Sequence, residues 1–164
     1  MNAIAQRLEP QDVCLDLEVG DKYALFEEIG QHMQREHGLS HHQIAHCLFR
    51  REKAGPTGVG EGVAIPHARI EGLGSIRAAY VRLKTPISFG APDGRPVQDV
   101  LFLLVPYPAA EEHLNLLAEA TRMFSDTRFR ARLHASRDHE EVVRLFTAWP
   151  DLPVGDAASA QDRI

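Results

Sequence analysis

The run Val97 to Val105, VQDVLFLLV, closes on six apolar residues in succession, Val100 to Val105. A strand wetted on one face alternates apolar and polar side chains. This one does not, and it reads as a central strand buried on both faces. Pro106 and Pro108 stop it, and beyond them the apolar spacing turns helical. Helices are predicted over Glu111 to Phe124, about Thr127 to His134, and Glu140 to Trp149. On the upstream side, Pro92-Asp93-Gly94 predicts a turn, Ile87 to Phe89 a short extended piece, and Ser75 to Leu83 a strand. Cys14 to Val19 reads as an edge strand. Asp21 caps a helix to about His37 with Leu25, Ile29 and Met33 on one face and Gly38 as its stop. Ser40 and Gln43 form a capping-box pattern for a second helix, through Ile44 and Leu48 to about Lys53, ended by Gly55. Helices first, strands in the middle and helices last predict an α/β fold. Its architecture is an α/β/α sandwich, a mixed central sheet flanked by helices on both faces. Residues 1–149 read as one domain without repeat or linker, and 150–164 as a flexible C-terminal tail.

Composition narrows the function. At 164 residues the chain is long enough to bury about two thirds of its unfolded surface. A formal net charge of −5 argues against general nucleic-acid binding, which relies on a basic surface. It leaves room for a small anion held by local arginines. The N-terminal residues show no apolar core of signal-peptide length, and Val100 to Val105 is too short to span a bilayer. The protein is therefore not expected to be an integral membrane protein. Cys14 and Cys47 form neither a CxxC pair nor a zinc spacing, so a reducing, cytoplasmic location is expected.

The chemistry concentrates in TGVGEGVAIPHAR, Thr57 to Arg69. Its glycines predict a backbone that turns sharply or packs closely. Val63-Ala64-Ile65 reads as a buried strand, and Pro66, with no N–H, is expected to weaken or end its pairing. That presents His67 at a strand end on a stiff backbone. A nucleotide-binding reading fails, because a P-loop needs Lys-Ser/Thr and then a helix after its last glycine, and Gly62 leads into a strand. No GxSxG supports a hydrolytic triad. His41, His42 and His46 cluster on the second helix, but no carboxylate or cysteine completes a metal set, so they read as a solvated face. His67 by itself is equally a core histidine satisfied by a backbone carbonyl. Two neighbours shift the balance. Arg50-Arg51-Glu52 closes the helix before the glycines, and Glu111-Glu112-His113 opens the helix after the central strand, where anions are favoured. An arginine, two histidines and helix N–H groups fit a phosphoryl group better than a metal or a triad.

At these residues the chain resembles the enzyme IIA proteins of the phosphoenolpyruvate-dependent phosphotransferase system, of the fructose/mannitol type. Within them it looks most like the stand-alone nitrogen-regulatory branch. The matching blocks are REKAGPTGVGEGVAIPHAR (Arg51–Arg69), PISFGAPDGRPVQDVLFLLVP (Pro86–Pro106) and EHLNLLAEATRMFSD (Glu112–Asp126). The resemblance runs from about residue 8 to 149. It implies that His67 is the phosphorylated nucleophile and that Arg51 and His113 sit beside the phosphoryl group, with no cofactor and no metal. It implies an HPr-like phosphocarrier as donor, and regulated target proteins such as kinases or potassium-transport components. Three positions depart from the family pattern: Ala68 where glycine follows the active histidine, Pro56 where serine is common, and Glu61 where the nitrogen branch often has asparagine. Two other roles fit the same residues. One is a sugar-specific IIA that passes its phosphoryl group to a separate IIB, the other a non-transferring binding module switched at His67.

Overall fold

The computed structural model describes residues 2–108 and 110–152. The apolar strand that organises the sequence, β6 (Val97–Pro106), lies inside the sheet and is buried along almost its whole length. It is preceded by β1 (Leu8–Leu17), α1 (Lys22–His37), α2 (His41–Ala54), β2 (Gly58–Gly60), β3 (Val63–Ala64), β4 (His67–Ile70) and β5 (Arg77–Ile87). It is followed by α3 (Ala110–Ser125), α4 (Thr127–Ala135) and α5 (His139–Ala148). The sheet order is β1-β5-β6-β3-β2, with β4 also paired to β6. The β1–β5, β3–β6 and β4–β6 pairs are parallel, and β5–β6 and β2–β3 antiparallel, so the sheet is mixed as expected.

Side-chain alternation along β6 builds a core on each face of the sheet. Leu101, Leu103 and Val105 pack with Leu116, Met123, Phe124, Phe129, Leu133, Val142 and Phe146, which come from α3, α4 and α5. Val100, Phe102 and Leu104 pack with Leu25, Phe26, Ile29, Met33, Ile44 and Leu48 of α1 and α2. Each large side chain removed from water contributes about 1.5–3 kcal/mol, so losing either helical layer would expose the strand it covers. Polar groups tie the layers together. Asp99 is buried in β6 and accepts hydrogen bonds from Tyr80 (2.5 Å) and from His134 (2.5 Å) near the end of α4.

The helix signals hold to within a residue or two. Asp21 accepts from the Ala24 N–H at 2.8 Å, and Gly38 ends α1 at φ 70°. Ser40 accepts from the Gln43 N–H, but the Gln43 side chain does not complete a capping box. It donates instead to the Glu71 carbonyl, 28 residues on, at 2.8 Å.

Two readings need correction. The first strand begins at Leu8 rather than Cys14, because a register irregularity between Leu8 and Val13 breaks the alternation that would reveal it. β5 runs on through exposed Lys84-Thr85-Pro86 and absorbs Ile87 from the separate piece expected there. As expected, the ladder lapses at Pro66, between Ala64 and His67, but it resumes on the same line. Val63 pairs with Asp99 and His67 with Leu103, the same offset on both sides of the proline. The Pro66 carbonyl still accepts from the Leu103 N–H at 3.0 Å, so the missing N–H skips a rung and leaves the line intact. At the C-terminal end, Leu152 is buried with Leu145 and Phe146, so the packed chain reaches past 150. The rest of the expected tail, 153–164, lies outside the described residues.

Candidate functional site

The glycine segment is a hairpin laid beside β6. Glu61 and Gly62 link β2 to β3 with φ of 57° and 76°, the pair of positive values that a two-residue type I′ connection requires. Gly58 is a close approach: a Cβ there would come within 3.0 Å of the Ala91 side chain. Both expected uses of glycine, turn and close packing, are present. Glu61 holds a backbone conformation that asparagine adopts more readily than glutamate, and its carboxylate pairs with Arg95 (3.2 Å) and Arg130 (3.5 Å).

β4 starts at His67 and sets the direction of its ring. Ala68 and Ile70 join the α1/α2 core, so the two-residue period turns His67 and Arg69 toward the opposite face, which α3 covers. His113, in the first turn of α3, meets His67 edge-to-face with ring centroids 4.9 Å apart. Arg51 arrives from the last turn of α2. Its Nε–H donates to His67 Nε2 at 3.1 Å and its Nη1 to the Gly55 carbonyl at 2.7 Å. His67 Nδ1 lies 3.0 Å from the Ile65 carbonyl, which can only accept. The proton therefore sits on Nδ1, and Nε2 keeps its lone pair. The three residues singled out in the sequence share one open cleft of about 440 Å³ with Cys47, Arg50, Ala68 and Arg69. The helix N–H groups expected at the start of α3 adjoin residue 109, outside the described residues.

Electrostatics keep both rings neutral. Burial lowers the His67 pKa below the free imidazole value, opposed by the Ile65 carbonyl and reinforced by the Arg51 charge. Burial, then the neighbouring His67 ring and the charges of Arg69 and Arg51, bring His113 down to about 4. His113 is 7% exposed, and its Nδ1 is buried without a hydrogen-bond partner among the described residues. Between about pH 6.5 and pH 4 the unfolded chain binds a proton at His113 that the native state refuses, so stability falls as pH falls through that window. His113→Gln removes this contribution. Urea unfolding at about pH 7 and about pH 4.5 should show a loss on acidification smaller than wild type by on the order of 2–3 kcal/mol. An equal loss in the two proteins contradicts a depressed His113.

Glu52 is a residue that sequence reading missed. It is buried, accepts from the Thr57 N–H (3.1 Å) and Thr57 Oγ1 (2.6 Å), and pairs with Lys22 at 2.9 Å. This network fixes the end of α2, and with it Arg51, to the start of the glycine segment. Its signal was legible: an acid in the last turn of a helix opposes the helix dipole, so another contact must hold it there. The three clustered histidines do lie on α2. His41 pairs with Glu27 at 2.7 Å, and His42 and His46 line a separate groove with Tyr23 and Phe49.

Residues 6–149 match the family model described as phosphoenolpyruvate-dependent sugar phosphotransferase system, EIIA 2. The chain belongs to this EIIA family. A nitrogen regulatory protein of Pseudomonas aeruginosa is 36% identical over 88% of this chain and 95% of its own. One from Bradyrhizobium diazoefficiens is 33% identical over 90% of this chain and 96% of its own. The crystal structure of nitrogen regulatory protein IIA-Ntr from Neisseria meningitidis superposes with a TM-score of 0.82 at 43% identity, covering 88% of this chain and 99% of that one. Sugar-specific EIIA components are more distant relatives. The fold and the regulatory branch of the EIIA family are thus as the sequence predicted. No helix among the described residues is long and apolar enough to cross a membrane.

Proposed function

We propose that this EIIA domain is a regulatory histidine phosphocarrier that accepts a phosphoryl group on His67 Nε2 from the phosphohistidine of an HPr-like protein. The observation that carries the reading is the pair of contacts on one ring. The Ile65 carbonyl holds the Nδ1 proton, and the Arg51 guanidinium lies against the nitrogen that keeps the lone pair. In the transfer, the Nε2 lone pair attacks phosphorus in line as the donor N–P bond breaks, and the bonding pair returns to the donor ring. Little covalent chemistry is left to the protein, so positioning and charge neutralisation dominate. As the N–P bond forms, the Arg51 Nε–H releases Nε2, and the guanidinium, still anchored on the Gly55 carbonyl, turns its donors to the phosphoryl oxygens. The unpartnered buried nitrogen of His113 gains an acceptor in the same oxygens, and their negative charge raises its pKa. Regulated target proteins then read the charge state of the cleft, in a cytoplasmic setting.

Mixing the protein with phosphoenolpyruvate, enzyme I and an HPr-like carrier tests this reading. The expected product is one acid-labile, alkali-stable phosphoryl group mapped to His67. A modification mapped elsewhere overturns it. Including a IIB protein separates a regulatory carrier, which retains the group, from a sugar-specific one, which hands it to a IIB cysteine.

Ala68 offers a smaller test. It pairs with Leu104 inside β4, and the non-glycine residues with positive φ among the described residues are Asp16 and Glu61. Nothing at this position requires glycine. Ala68→Gly should therefore leave the transfer rate within about twofold while costing about 0.5–1 kcal/mol of stability in chemical denaturation. A large rate increase would mean that the alanine restrains the loop.

A further inference from the structure

The irregularity in β1 gathers a second set of chemical groups at the opposite edge of the sheet. Leu8 pairs with Ala78 and Val13 with Tyr80, so β1 advances five residues while β5 advances two. The excess chain leaves the ladder as an extended bulge carrying Glu9 and Asp12. Bulges of this kind re-aim side chains. Glu9 and Asp12 are three apart, and a regular strand would send them to opposite faces. Here a carboxylate oxygen of each lies within 4.8 Å of the other and of a ring nitrogen of His37, the last residue of α1. Asp12 is fully buried. Its Oδ1 is 2.8 Å from His32 Nε2, and both of its oxygens are 3.0 Å from His37 Nε2.

We propose that Glu9, Asp12 and His37 form a binding site for a divalent transition-metal cation, zinc in the first place, with His32 holding the Asp12 carboxylate from behind. Zinc takes imidazole nitrogen and carboxylate oxygen at about 2.0–2.2 Å, which sets neighbouring ligand atoms of a tetrahedron about 3.3 Å apart. The His37–Asp12 separation of 3.0 Å is already close to that edge, and Glu9, whose side chain is exposed, closes the remainder by rotation. The two carboxylates balance the charge of a divalent ion, and water completes the fourth position. On binding, His37 gives up its Nε2 proton, to Nδ1 or to solvent, and coordinates as a neutral ring. His32 donates its Nε2 proton to Asp12 Oδ1, the outer-sphere contact that orients a ligating carboxylate. The ion would clamp the edge strand β1 to the C-terminal end of α1. Between this edge and His67 on β4 stand β5 and β6, so the site is independent of phosphoryl transfer.

Equilibrium dialysis of the metal-free chain against micromolar zinc chloride, read by elemental analysis and paired with thermal melts, tests the site. Wild type should bind one tight equivalent and melt at a higher temperature with zinc. Glu9→Gln and His37→Gln should lose both effects, and His32→Gln should weaken binding by about ten- to a hundredfold. The double variant His42→Gln, His46→Gln removes the i,i+4 histidine pair of α2 and should bind as wild type does. The proposal is overturned if wild type binds no tight equivalent. It is also overturned if Glu9→Gln and His37→Gln retain that equivalent, or if the His42, His46 variant is the one that loses it. Glu9 is solvent-exposed, so its replacement by the isosteric amide tests coordination without disturbing the fold.

Discussion

His67→Ala should accept no phosphoryl group from the carrier while keeping its fold. The substitution removes the nitrogen that carries the lone pair. The ring is half-buried at the wall of an open cleft, so its loss widens the cleft and leaves no sealed void in either core. Water can then reach the Ile65 carbonyl, which limits the penalty for its lost partner. His113, the other imidazole in the cleft, is not expected to substitute, because no backbone carbonyl among the described residues holds its Nδ1 and the ring is nearly buried. The measurement is intact mass after incubation with phosphoenolpyruvate, enzyme I and the carrier, with circular dichroism as the control for folding. A mass gain of one phosphoryl group at the wild-type rate would move the acceptor away from His67.

Arg51→Ala should slow the same transfer by about tenfold to a thousandfold, the kinetic equivalent of about 1.4–4 kcal/mol of lost charge stabilisation. Arg51 is the permanent charge in contact with the attacking nitrogen, and its second bond, to the Gly55 carbonyl, fixes where that charge sits. Arg51→Lys should recover only part of the rate, since an ammonium lacks the planar fork that spans ring and carbonyl together. His113→Gln should accept the group at a moderately reduced rate. A neutral hydrogen bond contributes about 1 kcal/mol, and His113 is neutral before transfer. Its larger effect belongs to the phosphorylated state, so His113→Ala should also hydrolyse its phosphohistidine faster. Carrier-to-protein transfer and product hydrolysis, followed separately for each variant, distinguish the two residues. Normal transfer by Arg51→Ala together with an inert His113→Gln would reverse their roles.

How much of this was legible in the sequence depends on the range of the interaction. The helices were read closely because their signals are local: Asp21 and Gly38 satisfy backbone groups three or four residues away. β6 was legible because burial on both faces leaves an uninterrupted apolar run. β1 was not, because its bulge destroys the period-two pattern and places Glu9 and Asp12 by pairing with a strand some seventy residues on. Arg51, His67 and His113 were found from local setting and family resemblance together, and the fold does bring them into one cleft. Composition could not supply the neutral state of His113, which arises from burial of its ring beside His67 and the charges of Arg69 and Arg51. Nor could the pairing of Glu52 with Lys22 be predicted, since Lys22 reaches it through the tertiary fold.

The hydrogen bond between His67 and the Ile65 carbonyl bears on how this site tolerates mutation. Many histidines with an assigned tautomer rely on a carboxylate side chain, which a single substitution can delete. Here the acceptor is main chain, two residues before the ring it orients. No substitution at position 65 removes it, whatever that substitution does to packing. The choice of attacking nitrogen is thus inherited with the path of the backbone past Pro66. Sequence drift in the surrounding side chains can alter the rate or the partners of this cleft while leaving the identity of the nucleophilic atom unchanged.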